Sequence, residues 1–214
     1  MNFLSEELED YIKQHCETEP ALLQELNHET WEKVLNPRML SGHVQGRALS
    51  MLSNMIKPKN ILEIGTFTGY SAICLAEGLV EGGTIDTIDI NEELETLAKT
   101  YFKKAKIEHQ VNYMIGNAVE LIPTLKKQYD LVFIDADKEN YAVYYDLVFD
   151  KLNTGGYIIV DNVLWSGKVL HKPKPEDIDT RAIIDFNKKV QNDSRVQNVL
   201  FSIRDGLMVV RKKN

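Results

Sequence analysis

The sequence predicts an α/β protein with a doubly wound, Rossmann-like sheet of seven strands. The sheet is mostly parallel, with N-terminal helices before it and an antiparallel hairpin at its C-terminal end. Three observations predict this. From residue 60 onward, short apolar runs alternate with helical stretches. Those runs are almost continuously apolar, as strands covered on both faces are. Near the C-terminus two strand-like runs flank Arg204-Asp205-Gly206, and an Asp-Gly pair in such a place signals a hairpin. A length of 214 residues fits one domain, with residues 1–36 a helical appendage and 37–214 the Rossmann-like core.

The elements follow in order. Leu4, Leu8, Tyr11 and Ile12 have helical spacing, and Pro20 starts a second helix carrying Leu22, Leu23, Leu26 and Trp31. A third helix is expected from Gly42 to Met55, ending before Lys57-Pro58. Five parallel strands are expected at Ile61–Ile64, Thr84–Ile88, Val111–Ile115, Leu131–Ile134 and Tyr157–Val160. Between the second and third lies a helix over 92–106, with Leu94, Leu97, Ala98, Tyr101, Phe102 and Ala105 on one face and Asn91 as its cap. Val196–Ile203 and Leu207–Arg211 make the final antiparallel pair.

Composition narrows the function. The formal charge is −7, and 43% of residues are hydrophobic, ample for a core. Residues 1–36 hold nine acids and two bases, so the whole net charge sits there; the other 178 residues carry 23 of each sign. An acidic front and a neutral body lack the basic footprint that nonspecific nucleic-acid binding needs. No apolar run reaches the roughly 18–20 residues that span a bilayer. Met1 to Glu7 has neither a basic nor an apolar leader region, and Cys16 and Cys74 are expected to stay reduced. A cytoplasmic protein is the expectation.

In open α/β sheets, ligands bind beyond the carboxyl ends of the strands. The first strand leads into Glu63-Ile64-Gly65-Thr66-Phe67-Thr68-Gly69-Tyr70-Ser71. A dinucleotide loop wants glycine where Phe67 stands, and Glu63 beside the loop would repel phosphates. A cationic ligand without phosphate fits better, and S-adenosylmethionine (SAM) is one. Asp89, 24 residues after Gly65 and at the end of the second strand, is placed to accept from ribose hydroxyls. Gly116-Asn117-Ala118 follows the third strand and would lie against an adenine ring.

The fourth and fifth strands run into Asp135-Ala136-Asp137-Lys138 and Asp161-Asn162, with Trp165 beyond. Asp135, Asp161 and Asn162 offer hard oxygen donors suited to Mg²⁺, Ca²⁺ or Mn²⁺, with Mg²⁺ first. Lys138, three residues after Asp135, is a candidate base if a cleft lowers its pKa.

These stretches, together with Asp205-Gly206-Leu207, give the chain its resemblance to the cation-dependent class I O-methyltransferases, which include caffeoyl-CoA and catechol O-methyltransferases. The resemblance spans about residues 35–214. It implies that Glu63, Gly65, Thr66, Ser71, Asp89 and Ala118 contact SAM, with Ser41 and Asp137 closing over its methionine part and Tyr144 bordering it. It implies that Asp135, Asp161 and Asn162 hold the metal, that Lys138 is the general base, and that Met39 lies near the transferred methyl. Trp165 and Ser166 fall where the family shapes its acceptor site, and the family is usually a homodimer. Leu40, Gly42 and His43 lie in a segment more polar in the plant enzymes, and Ser166 replaces an asparagine there. These departures bear on the acceptor, not on SAM or metal.

The expected activity is therefore SAM-dependent, cation-dependent O-methylation of a small catechol-like phenol. A non-catechol metabolite as acceptor, a nicotinamide-dependent oxidoreductase and a non-catalytic ligand-binding module are the alternatives. An acyl-CoA would be repelled by the acidic N-terminal segment unless Lys13, Lys168, His171, Lys172 and Lys174 compensate, which favours a free acceptor.

Overall fold

A computed structural model describes residues 4–214. Met1, Asn2 and Phe3, on which the reading of the N-terminus as no secretory leader partly rests, lie outside the described residues. The chain forms two units by internal contacts, Leu4–Asn117 and Ala118–Asn214.

In the first unit, β1 (Asn60–Ile64), β2 (Thr84–Asp89) and β3 (Val111–Ile115) are parallel, with β2 in the middle. The register pairs Ile64 with Ile88 and Asp89 with Ile115. The chain therefore leaves all three strands at the same edge, where the Gly65 amide still donates to Ile88 and the Gly116 amide to Asp89. The helices are α1 (Glu6–Gln14), α2 (Ala21–Lys33), α3 (His43–Ile56), α4 (Tyr70–Ala76) and α5 (Glu95–Lys104). Asn91 caps as expected, but it caps a 3₁₀ turn, Glu92–Leu94, that precedes α5.

Two helices differ from their periodicity. On α2 the buried residues are Leu23, Leu26 and Thr30, while Trp31 is 57% exposed. Thr30 takes the inward place because its hydroxyl is satisfied there, donating to the Leu26 carbonyl at 2.7 Å and sharing a hydrogen bond with the Thr68 hydroxyl at 3.2 Å. On α1, capped by Ser5, no residue is buried, and Leu8 and Tyr11 are exposed. Several N-terminal acids are tied to other parts of this unit: Glu17 to Arg47, Glu19 to the Tyr70 hydroxyl, Glu25 to Lys104 and Glu29 to the Tyr101 hydroxyl.

In the second unit β4 (Tyr129–Ile134) pairs in parallel with β5 (Leu152–Val160). The last strand, β7 (Leu207–Lys212), lies antiparallel between β5 and β6 (Val196–Phe201), so β6 is the edge. Strand β5 begins five residues before its expected start. Asn153-Thr154-Gly155-Gly156 looks like a turn, and instead carries a register shift against β4 with Gly155 at φ 78°. The helices are α6 (Ala118–Thr124), α7 (Tyr141–Phe149) and α8 (Ile178–Gln191). Helix α7 is apolar nearly all round because five of its nine residues are buried, Tyr141, Tyr144, Tyr145, Val148 and Phe149.

The seven expected strands are thus all present, five parallel and two antiparallel. Both cysteines are free, with Cys74 buried. No helix of the described residues is long and apolar enough to cross a membrane.

Candidate active site

The expected residues fall into two constellations, one in each unit. The first surrounds the loop after β1. Glu63 is wholly buried at the end of that strand. Its carboxylate accepts from the Ser71 hydroxyl at 2.6 Å and the Thr87 hydroxyl at 2.5 Å, and Thr87 shares a further hydrogen bond with the Thr66 hydroxyl. Glu63 thus braces the loop from beneath, joining its start, its end and the neighbouring strand. A buried carboxylate needs such donors, because leaving it unpaired would cost several kcal/mol.

Gly69 turns the chain into α4 at φ 90°, and a Cβ there would stand 2.7 Å from the Phe102 ring. Both the backbone angle and the ring require glycine. Phe67 also takes the left-handed region, φ 50°, which costs a non-glycine residue roughly 1–2 kcal/mol. Its amide is thereby aimed at Asp89 Oδ2, 2.6 Å away, while Asp89 Oδ1 accepts from the Asn91 amide at 2.8 Å. An ionised carboxylate has about four lone-pair sites, so Asp89 retains acceptor capacity beyond these two bonds. Ser41 is buried, Met39 is exposed at the end of a 3₁₀ turn, and Gly65 follows β1 directly.

The second constellation is built where β4 and β5 end. Ile134 and Val160 are register partners, so Asp135 and Asp161 each stand one residue beyond a paired position on adjacent strands. The Asp161 amide continues the ladder to the Ile134 carbonyl at 3.0 Å. Neighbouring strands run about 4.8 Å apart, which brings the two acids into one neighbourhood. Lys138 opens a 3₁₀ turn, and its Nζ donates to Asp135 Oδ1 at 3.1 Å and to the Tyr141 hydroxyl at 2.5 Å. Tyr141, fully buried, donates onward to the Asp161 carbonyl at 3.0 Å. Burial first, then the carboxylates of Asp135, Asp161 and Asp137, push the Tyr141 pKa well above its ordinary value of about 10. Its hydroxyl stays neutral and remains a donor.

Asp161 is 1% exposed, and its Oδ1 accepts from the Asn162 amide at 2.7 Å. Among the described residues no three His, Cys, Asp or Glu form a metal-holding group. The expected set has only two carboxylates and draws its third oxygen from the Asn162 amide, a donor chemistry that suits a hard divalent cation. Beside it, Asp137 accepts from the Tyr144 hydroxyl and the Asn140 amide, each at 2.5 Å. Trp165 lies close enough for Lys138 Nζ to stand 5.8 Å from its ring, and the indole Nε1 is buried without a hydrogen-bond partner. Ser166 is exposed, with its amide held by Asp205, and Ala118 begins α6 buried.

Three residues joined to these sites went unassigned in the sequence. Thr87 carried a signal, a polar residue within an otherwise buried strand. Tyr141 stands three residues after Lys138, the spacing of one helical turn. Asp205 read as part of a hairpin turn and of a stretch that carries the family resemblance, with no role of its own.

The chain is similar to known proteins over most of its length. Residues 13–213 match a family model described as O-methyltransferase. Tapetum-specific methyltransferase 1 of Arabidopsis thaliana is 36% identical, over 97% of this chain and 94% of that protein. Caffeoyl-CoA O-methyltransferase of Medicago sativa is 34% identical, over 78% and 72%. Among solved structures, an O-methyltransferase from Bacillus cereus in complex with SAH superposes with a TM-score of 0.89 at 26% identity, covering 97% of each chain. The O-methyltransferase TomG from Streptomyces achromogenes, in complex with SAM, gives 0.88 at 26% identity, over 97% of this chain and 96% of that one. The Rossmann-like sheet, its C-terminal antiparallel pair and the extent of these matches lead to one assignment: the chain belongs to the O-methyltransferase family.

Proposed function

We propose that this enzyme transfers the methyl group of SAM to a phenolic oxygen of a small catechol-like acceptor with the help of a divalent cation, most simply Mg²⁺. The observation that carries the proposal is the linked set of Asp135, Lys138, Tyr141 and Asp161, an ammonium held between a carboxylate and a buried phenol that is itself anchored on the Asp161 main chain. Such a cluster has no structural need of a lysine, and an apolar group would fill the place more cheaply. Glu63, Gly65, Thr66, Ser71, Asp89 and Ala118, with Ser41, Asp137 and Tyr144, are assigned to SAM. Asp135, Asp161 and Asn162 are assigned to the cation.

When bound, SAM supplies a methyl on a sulfonium sulfur, and the cation favours ionisation of the acceptor hydroxyl. A free phenol has a pKa near 10, so little phenolate exists at neutral pH without such help. Lys138 removes the phenolic proton, for which it must first lose one of its own. Held by the residues assigned to it, SAM would supply the methyl to that oxygen, with sulfur as the leaving group in the form of a neutral thioether. Orientation of acceptor and methyl supplies several kcal/mol of the acceleration. Trp165, with its unpartnered indole N–H, and Ser166 and Met39 are assigned to acceptor binding.

The acceptor is proposed to be free, not CoA-linked, because the acids of the N-terminal segment oppose a polyanion. Helix α1 alone presents Glu6, Glu7 and Glu9 in its first turn. A homodimer, on family resemblance, and a cytoplasmic setting, on composition, complete the reading. Incubation with SAM, Mg²⁺ and a panel of vicinal diphenols, read by mass spectrometry, tests the function. Methylated product that disappears with EDTA and returns with Mg²⁺ is expected. Full activity after exhaustive chelation would remove the cation, and a clear preference for caffeoyl-CoA over free caffeate would overturn the choice of acceptor.

A further inference from the structure

The segment after β5 is unusually contorted. Asn162, Trp165 and Ser166 all lie in the left-handed region, at φ 59°, 47° and 53°, and Gly167 follows at 77°. Three left-handed non-glycine residues within five positions persist only where the surroundings over-determine them.

The surroundings are the corner between β6 and β7. The Val163 amide donates to the Gly206 carbonyl at 3.3 Å, the Leu164 amide to the Asp205 carbonyl at 2.9 Å, and the Ser166 amide to Asp205 Oδ1 at 2.6 Å. Gly206 packs so closely that a Cβ would meet Leu164 Cγ at 2.6 Å. From the other side the Asn187 amide donates to the Val163 carbonyl at 2.8 Å. The side chain of Asp205 is the one charged acceptor in this clamp, and it holds the amide of the most exposed of the three contorted residues.

We propose that Asp205 is a positioning residue: its carboxylate locks the Asn162–Ser166 segment in the conformation that presents the Asn162 amide and the Trp165 indole. The inference rests on the reading of Asn162 and Trp165 as cation and acceptor residues, but the lock itself does not. Asp205→Ala removes the side-chain acceptor and keeps the two backbone bonds. Asp205→Asn keeps a carbonyl oxygen in its place.

The test is hydrogen–deuterium exchange of the full-length protein over residues 162–168, alongside calorimetric titration with Mg²⁺ and with S-adenosylhomocysteine. In Asp205→Ala, exchange over 162–168 should rise about tenfold and Mg²⁺ affinity should fall by a similar factor, the effect of one lost charge-assisted hydrogen bond. S-adenosylhomocysteine affinity should stay within about twofold, and Asp205→Asn should restore most of both losses. Unchanged exchange in Asp205→Ala overturns the lock. So does a loss of S-adenosylhomocysteine affinity as large as that for Mg²⁺, with no rescue by Asn, since that marks a general structural role. Wild-type protein that binds no Mg²⁺ would overturn the cation reading alone, with the exchange result still deciding the lock.

Discussion

The hydroxyl of Tyr141 bridges to the main-chain carbonyl of Asp161 at 3.0 Å across 20 residues of sequence. The same oxygen accepts from Lys138 Nζ. The lysine assigned as base is therefore placed by a buried phenol anchored on the following strand, and its own short 3₁₀ turn does not fix it alone.

Tyr141→Phe should lower kcat about tenfold with little change in acceptor KM, because Lys138 loses an acceptor without any loss of binding surface. The buried Asp161 carbonyl also loses its donor, so stability should fall by about 1–3 kcal/mol. Steady-state kinetics with a urea melt measure both. An unchanged kcat in a folded variant would release Lys138 from this anchor.

Lys138→Ala and Asp161→Ala should each remove most turnover, by about 10²-fold or more, as expected for loss of a proton-transfer group or a charged ligand at a reacting centre. Neither lies in the loop after β1, so calorimetric affinity for S-adenosylhomocysteine should remain nearly intact. Loss of cofactor binding in both variants would sink the assignment of roles.

Glu63→Gln should weaken the cofactor, not the acceptor. Two hydroxyls donate to this buried carboxylate, and an amide in its place presents an N–H to one of them. An opposed buried donor costs about 1–3 kcal/mol, which would appear as lower stability and a raised Kd for S-adenosylhomocysteine. Titration with the full-length variant decides; a wild-type Kd with wild-type stability would show the brace to be dispensable.

Stability should decline above about pH 10. Burial and nearby acceptor carboxylates raise the pKa of Tyr70, of Tyr101 and of Tyr145 above the ordinary value near 10. In each case the raised folded pKa means that stability is fully present below the unfolded value. It is lost as pH climbs from there towards the folded value, because the unfolded chain ionises first. Each such tyrosine contributes up to about 1.4 kcal/mol per pH unit. Urea melts between pH 7 and 11 should be flat at first and then fall; a flat curve throughout would contradict the burial of these phenols.

Much of this was legible in the sequence. Apolar runs at Ile61–Ile64 and Leu131–Ile134 had to be buried strands, because no other element buries so short a run on both sides. Glu63 and Asp89, and then Asp135, Asp161 and Asn162, announced themselves as polar residues at strand ends, and Gly65 as the turn that follows the first strand. Tertiary structure decided which neighbour each residue met. Thr30, not Trp31, faces inward because its hydroxyl finds two hydrogen-bond partners there, the Leu26 carbonyl and the Thr68 hydroxyl. Strand β7, not β6, lies beside β5, and β5 runs through Gly155-Gly156, where local propensity marks a turn. Tyr141 reaches Asp161, and Asp205 reaches Ser166 from 39 residues away. Periodicity records which side of an element is apolar. Hydrogen bonds between distant residues depend on how whole elements pack, and that is set only when the chain has folded.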